Sequence, residues 1–290
     1  MTWPQVRPAA MASGLLVALY VLSEFGAVSI LRFDTFTRAI YNAYRGSFDR
    51  TAAAALAVVL VVLTLIVLYF EKRYRTNYTR IEKQSRQLRI NLGGWRWPAA
   101  AVLMLLAVGS SILPIAALLG WSLSGDDWDP AEILQALGTS LGIAISAGLV
   151  IGIFAVAVAL WNVRFASKLS SGVELTIWSS HALPAIVVAL SLVFFGANLT
   201  PAIYQTVWLL IFAYLILFLP NALSVITTPI AQVSTSQEQV ARSLGLGKLG
   251  AIFKLVIPMS KAGIWAGIAL ASLAVLKELP ATLLLRPNSV

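Results

Sequence analysis

The sequence of 290 residues holds no cysteine and a single histidine, His181. Disulfide bonds, thiolate metal sites and cysteine nucleophiles are therefore excluded within it, and one histidine cannot form a multi-histidine metal site. Charged residues are also scarce, since they make up 11% of the chain while 59% is hydrophobic. A soluble domain carries about a quarter charged residues. The composition therefore predicts a protein that crosses a membrane several times.

Long apolar runs are what the sequence has instead of charge. A hydrocarbon core about 30 Å thick needs roughly 20 apolar residues in an α-helix. Lipid offers no hydrogen bonds to the backbone, so these runs are expected to be helices, and they are too continuous for alternating barrel strands. The sequence predicts an all-α, polytopic membrane helical bundle. Seven segments qualify: 8–31, 51–70, 98–122, 135–161, 173–196, 203–225 and 260–285.

Charge is distributed unevenly over the connecting segments. The segment 71–97 carries eight Lys or Arg, and 162–172 and 226–259 are also basic, so all three are predicted to be cytoplasmic. The opposite side holds 124–132, with four acids and no base, although the outer segment 32–50 carries four arginines and is an exception. The net charge of +9 therefore indicates orientation in the membrane rather than a nucleic-acid surface.

The sequence contains an internal repeat. Residues 4–32 and 258–286 are identical at 10 of 29 positions at a constant offset of 254. Shared apolar composition would give about three identities. The matches include Glu24 with Glu278, so they extend beyond Leu and Ala. Both copies cross the predicted bundle in the same direction, which indicates a parallel repeat of two homologous halves.

The repeat suggests a division of the chain. We expect 1–70 to be the C-terminal end of a first half with two spans, 71–97 a basic cytoplasmic linker, and 98–290 a second half with five spans. Within its own half, the second copy is preceded by four spans, whereas none precedes the first copy, and only the first copy is followed by a further span in its half. We therefore expect the sequence to be a piece of a longer protein, with the last span missing.

The polar stretch 238–258, "EQVARSLGLGKLGAIFKLVIP", contains Gly-Lys and invites comparison with a phosphate-binding loop. That loop reads G-x-x-x-x-G-K-[ST] between a strand and a helix. Here Leu249 follows Lys248, and Arg242 stands where the first glycine belongs. Nucleotide binding is therefore not predicted at this stretch.

The same stretch resembles the cytoplasmic motif E-A-A-x3-G-x9-I-x-L-P of the inner-membrane permeases of bacterial ATP-binding-cassette importers. It reads "QVA", three residues, Gly245, nine residues and then "LVIP" ending at Pro258. Gln239 takes the place of the glutamate, which stands one residue earlier at Glu238. The segments 19–50 and 183–196 are similar to ferric-iron importer permeases, in which two homologous halves are fused.

The resemblance implies a coupling loop, 229–257, that docks on a separate ATP-binding-cassette ATPase dimer. We expect a short helix over 236–244, a sharp turn at Gly245, and Pro258 near the start of the next membrane helix. The candidate coupling residues are Glu238, Gln239, Ala241, Arg242, Gly245 and Pro258. The chain itself would then be no enzyme and would need no cofactor, because ATP and magnesium would bind to the partner subunit.

The resemblance also implies a multi-pass protein of the bacterial inner membrane, without a nucleic-acid partner. A periplasmic or lipoprotein substrate-binding protein would deliver the substrate, and alternating access would carry it across. Ferric iron is the expected substrate, and thiamine, sulfate, molybdate and polyamines stay open for this type of permease. An ion-coupled secondary transporter is a further alternative, since such proteins also use repeats.

Four ionisable residues within apolar segments are candidates for the translocation pathway, because such groups are costly there unless they face protein or water. They are Glu24, Glu278, Lys277 and His181. The glutamates could receive a hard cation through oxygen, or they could cap helices near the outer interface. Lys277 could pair with Glu278, and a packing role for His181 is the simpler interpretation.

Two packing features are also expected. The small residues Gly138, Gly142 and Ser146 share a helix face at a spacing of four, which suits close helix packing. Kinks are expected at Pro114, Pro184 and Pro280.

Overall fold

The computed structural model describes residues 3–46, 50–75, 93–124, 129–180 and 183–287. Helices and their connecting turns account for these ranges, which contain no strand, so the predicted all-α architecture is confirmed. The helices in chain order are α1 (Trp3–Ser23), α2 (Gly26–Ile30), α3 (Phe36–Gly46), α4 (Thr51–Arg75), α5 (Arg96–Ser124), α6 (Pro130–Arg164), α7 (Lys168–Ser180), α8 (Ala185–Asn198), α9 (Val207–Gln232), α10 (Thr235–Ser243), α11 (Lys248–Ala251), α12 (Ile257–Leu276) and α13 (Pro280–Leu285). A 3₁₀ turn, Gly93–Trp95, precedes α5, and a π-helical turn, Ile252–Val256, joins α11 to α12.

The membrane-crossing helices agree with the predicted polytopic bundle, but in the described ranges they are fewer than the seven predicted segments. Five helical stretches in the described ranges are long and apolar enough to cross a membrane: Thr51–Glu71, Gly93–Ser124, Pro130–Arg164, Val207–Gln232 and Lys248–Leu276. The bent pair α7 and α8 makes a sixth if it is one span, and its two axes differ by 107°. The predicted segment 173–196 is therefore two helices, and Pro184 is the N-cap of α8.

Two predicted segments contain a break in the helix. The segment 8–31 ends its first helix at Ser23 and resumes in α2, and the segment 260–285 breaks between Leu276 and Pro280. Pro280 therefore starts α13 rather than kinking a continuous helix. Pro114 lies inside α5, as expected. Because the breaks fall at equivalent places in the two copies of the repeat, the copies share local structure as well as sequence.

The chain divides into two compact units. One comprises Met1–Tyr78 with Gly138–Val290, and the other is Thr79–Leu137. In the first unit, one core contains buried side chains from α6, α8, α9, α12 and α13, and α9 contributes more of them than any other helix. A second cluster brings together the buried side chains of Phe25, which precedes α2, Ile40 of α3, Leu60 of α4 and Ile186 of α8. The second unit contains α5, along which apolar side chains are exposed.

Glycines allow α12 to approach two other helices closely. A Cβ atom added at Gly152 of α6 would lie 2.3 Å from Ile268 Cγ1 of α12. A Cβ atom added at Gly267 of α12 would lie 2.5 Å from Ile226 Cγ1 of α9. These distances leave no room for a side chain, so α6, α9 and α12 form one tightly packed group.

The small-residue face predicted on α6 is wrong. A Cβ atom added at Gly138 or Gly142 would meet nothing within 4 Å, and both residues are exposed. The packed face carries Gly148 and Gly152, which have the same spacing of four residues. Spacing alone could not distinguish the two faces, because the side chains of α12 decide which one is covered.

Gly263→Ala should destabilise the protein. The new Cβ atom would lie 2.2 Å from Cγ of Pro229, and this rigid ring cannot rotate away. Overpacking of this kind costs about 1–3 kcal/mol, which exceeds the gain of up to about 1 kcal/mol from replacing a helical glycine by alanine. Thermal unfolding of the full-length protein in detergent should show a lower midpoint.

The matched control is Gly142→Ala in α6. No atom lies within 4 Å of its added Cβ, so it keeps the gain in helix propensity and its midpoint should not fall. Equal midpoints for the two variants would contradict the close contact between α9 and α12.

Candidate functional site

The helix α10 begins with a well-defined cap. Ser234 Oγ accepts a hydrogen bond from the Gln237 amide at 3.3 Å, and Gln237 Oε1 accepts one from the Ser234 amide at 3.1 Å. This reciprocal pair satisfies two backbone donors that the first turn of a helix otherwise leaves unpaired. The helix therefore starts one residue before the predicted 236–244, and α9 extends to Gln232, which makes the predicted coupling loop 229–257 too long at its beginning.

The end of α10 is a sharp turn at Gly245. Its φ is +95°, a left-handed conformation that glycine adopts without the clash of a Cβ atom. The Leu246 amide donates to the Ala241 carbonyl at 3.2 Å, and the Gly245 amide donates to the Arg242 carbonyl at 3.0 Å. These two bonds form a Schellman motif, which closes the last turn of the helix. The turn that the sequence predicts at Gly245 is confirmed.

The chain enters α12 through helical backbone that starts earlier than expected. Pro258 is the second residue of α12, but α11 and the π-helical turn precede it without a gap. The Ile257 amide donates to the Ile252 carbonyl, five residues back. A proline inside a helix lacks an amide donor and clashes with the carbonyl four residues earlier, here that of Lys254. The wider π-helical turn beside Pro258 accommodates the ring.

Arg164, the last residue of α6, binds the ends of two other helices. Its guanidinium donates to the carbonyl oxygens of Ile230 at 3.0 Å and Val233 at 2.8 Å, and it forms an ion pair with Glu238 of α10. The side chains of Arg164 and Glu238 are only 8% and 17% exposed. The last carbonyls of a helix lack intrahelical partners and carry partial negative charge, which suits a buried cation.

In the sequence, Arg164 is only one charge of the basic segment 162–172, and its role in binding other helices was not predicted. Its partners lie 66 to 74 positions away along the chain. No local pattern in a single sequence marks such a contact.

The candidate coupling residues divide into two groups. Glu238 is turned inward onto Arg164, and Ala241 is buried, whereas Gln239, Arg242 and the backbone turn at Gly245 are exposed. Adjacent helical positions differ by about 100° around the axis. The displacement of the acid from the motif position Gln239 to Glu238 therefore moves it from the exposed face to the buried one. Pro258 is also exposed.

The exposed side of this region carries apolar and basic side chains together. We call it the coupling surface, and it comprises Val240, Leu244, Leu249 and Phe253 with the cations Arg242, Lys248 and Lys254. Leu244 is 81% exposed at the very end of α10. Apolar side chains mixed with basic ones at the predicted cytoplasmic end of the bundle are typical of a surface that another protein covers.

The other end of the first unit places the two repeat glutamates in matching positions. Glu24 Oε1 accepts a hydrogen bond from the Ala27 amide at 3.1 Å, and Glu278 Oε1 accepts one from the Ala281 amide at 3.2 Å. Each glutamate thus caps the short helix after its break. The two carboxylates also interact electrostatically. The capping alternative is therefore what the structure shows locally, and a role in the pathway stays a prediction.

The remaining pathway candidates contribute less. Lys277 is exposed, and within the described ranges no ion pair joins it to Glu278, although the two charges interact electrostatically. His181 lies outside the described residues.

A cavity of about 310 Å³ lies beside Glu278. Its lining includes Thr139, Tyr214, Thr282 and Arg286, and the hydroxyls of Tyr214 and Thr282 are 2.8 Å apart. In the part of the chain that the structure describes, no group of three or more His, Asp and Glu side chains could hold a metal ion. The region therefore offers scattered oxygen donors rather than a closed metal site.

Comparison with known families identifies the architecture. The family model described as the binding-protein-dependent transport system inner membrane component matches residues 144–288. The chain belongs to this family. The matched region begins within α6 and ends one residue after Pro287. It therefore includes Arg164, α10, Gly245 and the coupling surface.

Two curated relatives extend the similarity beyond the family region. The chain is 32% identical, over an alignment 299 positions long that covers 99% of the chain, to the Fe(3+)-transport system permease protein FbpB 2 of Haemophilus influenzae. It is 26% identical, over an alignment 268 positions long that covers 84% of the chain, to the thiamine transport system permease protein ThiP of Escherichia coli. The alignments cover 58% and 48% of these relatives, so the chain spans about half their length.

Gly245→Ala should loosen the turn after α10. A non-glycine residue in a left-handed conformation costs roughly 1–2 kcal/mol, and no atom near Gly245 would add a steric term. Amide hydrogen exchange of residues 241–246 in the full-length permease should therefore become faster.

Gly247→Ala is the control for this change. Gly247 is also clear of other atoms, but its φ is −66° and its ψ is 168°, which any residue adopts. Faster exchange in both variants, or in neither, would contradict the backbone strain assigned to Gly245.

Proposed function

We propose that the chain is part of the permease subunit of an ATP-driven, binding-protein-dependent importer. The observation that carries this proposal is the coupling surface, which sits on a capped helix and a Schellman turn within the region that matches the family. An ATP-binding-cassette ATPase dimer is the partner that fits this surface. ATP and magnesium would bind to that partner, so the permease chain itself performs no catalytic step and uses no cofactor.

The connections of α10 to membrane helices support transport by alternating access. The chain passes from α9 into α10 and onward through α11 into α12, and α12 packs on both α9 and α6. Closure of the ATPase dimer would move α10, and the packed group α6, α9 and α12 would move with it. Rigid-body motions of this kind convert one packed arrangement into another. A substrate-binding protein on the outer side of the bacterial inner membrane would deliver the cargo.

Ferric iron is the substrate we propose. Support comes from the 32% identity to an Fe(3+)-transport permease, over nearly the whole chain. Fe(III) is a hard cation and prefers oxygen ligands, and Glu24 and Glu278 supply carboxylates at equivalent positions of the repeat. Each carboxylate uses one oxygen as a helix cap. A carboxylate has two oxygens and about four acceptor sites, so capping is compatible with a contact to a passing cation.

Thiamine is the second candidate, favoured by the 26% identity to a thiamine permease. Uptake by the full-length permease, assembled with its ATPase and binding protein in proteoliposomes, should distinguish the two. We expect radiolabelled Fe(III) to accumulate only with ATP, and thiamine not to accumulate. Accumulation of thiamine would overturn the substrate, and accumulation driven by an ion gradient without ATP would overturn the importer mechanism.

Leu244→Glu should weaken the complex with the ATPase. Burying a leucine at an interface is worth about 1.5–3 kcal/mol, and a carboxylate would bring charge into the apolar part of the coupling surface. A loss of this size lowers affinity at least about tenfold, so less ATPase should co-purify with the permease.

Leu199→Glu serves as the matched control. Leu199 is 66% exposed in the turn between α8 and α9, at the opposite end of α9 from α10. Co-purification should be unchanged in this variant. Loss of the ATPase in both variants, or its full retention with Leu244→Glu, would contradict docking at the coupling surface.

A further inference from the structure

Arg164 and Glu238 form a buried ion pair in a chain with few charges. The pair is enclosed by the predicted cytoplasmic ends of α6 and α9 and by the first turn of α10. Breaking such a pair by removing one partner is costly, yet replacing both partners by apolar residues is often neutral or stabilising. Stability is therefore a weak explanation for the pair, and the specific arrangement that it imposes is a better one.

The pair adds a connection that the covalent chain lacks. The chain itself joins α10 to α9, through Val233 and Ser234, and to α12, through α11 and the π-helical turn. It does not join α10 to α6, which ends 70 positions before Ser234 along the chain. In the folded protein Arg164, at the end of α6, contacts the end of α9 and the first turn of α10 at once.

The contacts of the guanidinium are directional, and in this they differ from apolar packing. Ala241 of α10 is buried, as are Val233 before this helix and Val256 of the π-helical turn after it. Apolar contacts are non-directional. A guanidinium is planar and presents its donors in fixed directions, so two carbonyls and one carboxylate around it define an orientation. Rotation of α10 about its axis would break the ion pair, while the two hydrogen bonds of Arg164 hold the end of α9.

We infer that Arg164 and Glu238 are positioning residues for ATP-driven transport: they fix the orientation of α10 on α6 and α9, so that displacement of α10 moves these helices together. This inference rests on the proposed function and deepens it, because it assigns the transmission of the movement to a named pair. Neither residue contacts ATP, and neither belongs to the coupling surface.

The test uses the full-length permease with its ATPase and binding protein in proteoliposomes. Two quantities are measured in each variant: substrate transported per ATP hydrolysed, and the factor by which loaded binding protein stimulates ATP hydrolysis. Glu238→Gln removes the negative charge at nearly constant shape. Arg164→Gln removes the cation, and Arg164→Lys keeps the charge but loses the planar donors. Asp34→Asn is the control, because it removes an exposed ion pair with Arg38 at 2.8 Å.

Glu238→Gln and Arg164→Gln should each lower transport per ATP about fivefold or more, the lower end of ordinary coupling between sites. Arg164→Lys should be intermediate, and Asp34→Asn should match the wild type. Because the two residues act as one unit, the double variant should be no worse than Arg164→Gln alone. If Arg164→Gln fails to fold, the nearly isosteric Glu238→Gln still decides the question.

Wild-type transport per ATP in Glu238→Gln would overturn the inference. So would additive losses in the double variant together with loss of ATPase co-purification, because Glu238 would then contact the ATPase directly. Failure of the proposed function has a different signature. In that case the wild-type complex itself would show no ATP-driven uptake, before any variant is compared, and the inference would fall with it.

Discussion

A buried guanidinium needs negative partners, and Arg164 finds all of its partners at the ends of helices. The carbonyls at the end of α9 and the carboxylate in the first turn of α10 converge on it, so one side chain brings three segments together. The cost of burying this charge makes the arrangement specific, because a shifted α10 would leave a charge without a partner. The coupling surface depends on this constraint, since its residues Val240, Arg242 and Leu244 lie on or at the end of the same helix.

The close packing of α12 links the position of α10 to the membrane helices α6 and α9. Glycines remove side chains where α12 meets α6 and α9, so side chains of one helix pack directly against the backbone of the next. Closely packed groups transmit strain because they have few voids that could absorb a displacement. The π-helical turn beside Pro258 is the place where this packed group meets the coupling element. Turns of this kind often occur at functional sites.

Local patterns in the sequence predicted the helices and the turn at Gly245. The length of an apolar run and the position of a glycine determine the backbone conformation of nearby residues, so they can be recognised without knowledge of distant contacts. The breaks at Glu24 and Glu278 were missed, since each falls within a long apolar segment, and each carboxylate caps the short helix that follows. The wrong glycine face was chosen on α6 because two faces had equal spacing. Arg164 was missed because its partners are distant along the chain, and such contacts exist only once the bundle has packed.

The central claim is that α10 moves as one body with the end of α6. The sequence holds no cysteine, so spin labels can be placed at Q239C on α10 and A166C just after α6, both at exposed positions. Electron paramagnetic resonance would then compare the distance between the labels in nucleotide-free and ATP-trapped complexes of the full-length permease. The account predicts the same distance in both states. A shift of several ångströms between the two states would show that α10 slides on α6, and would contradict it.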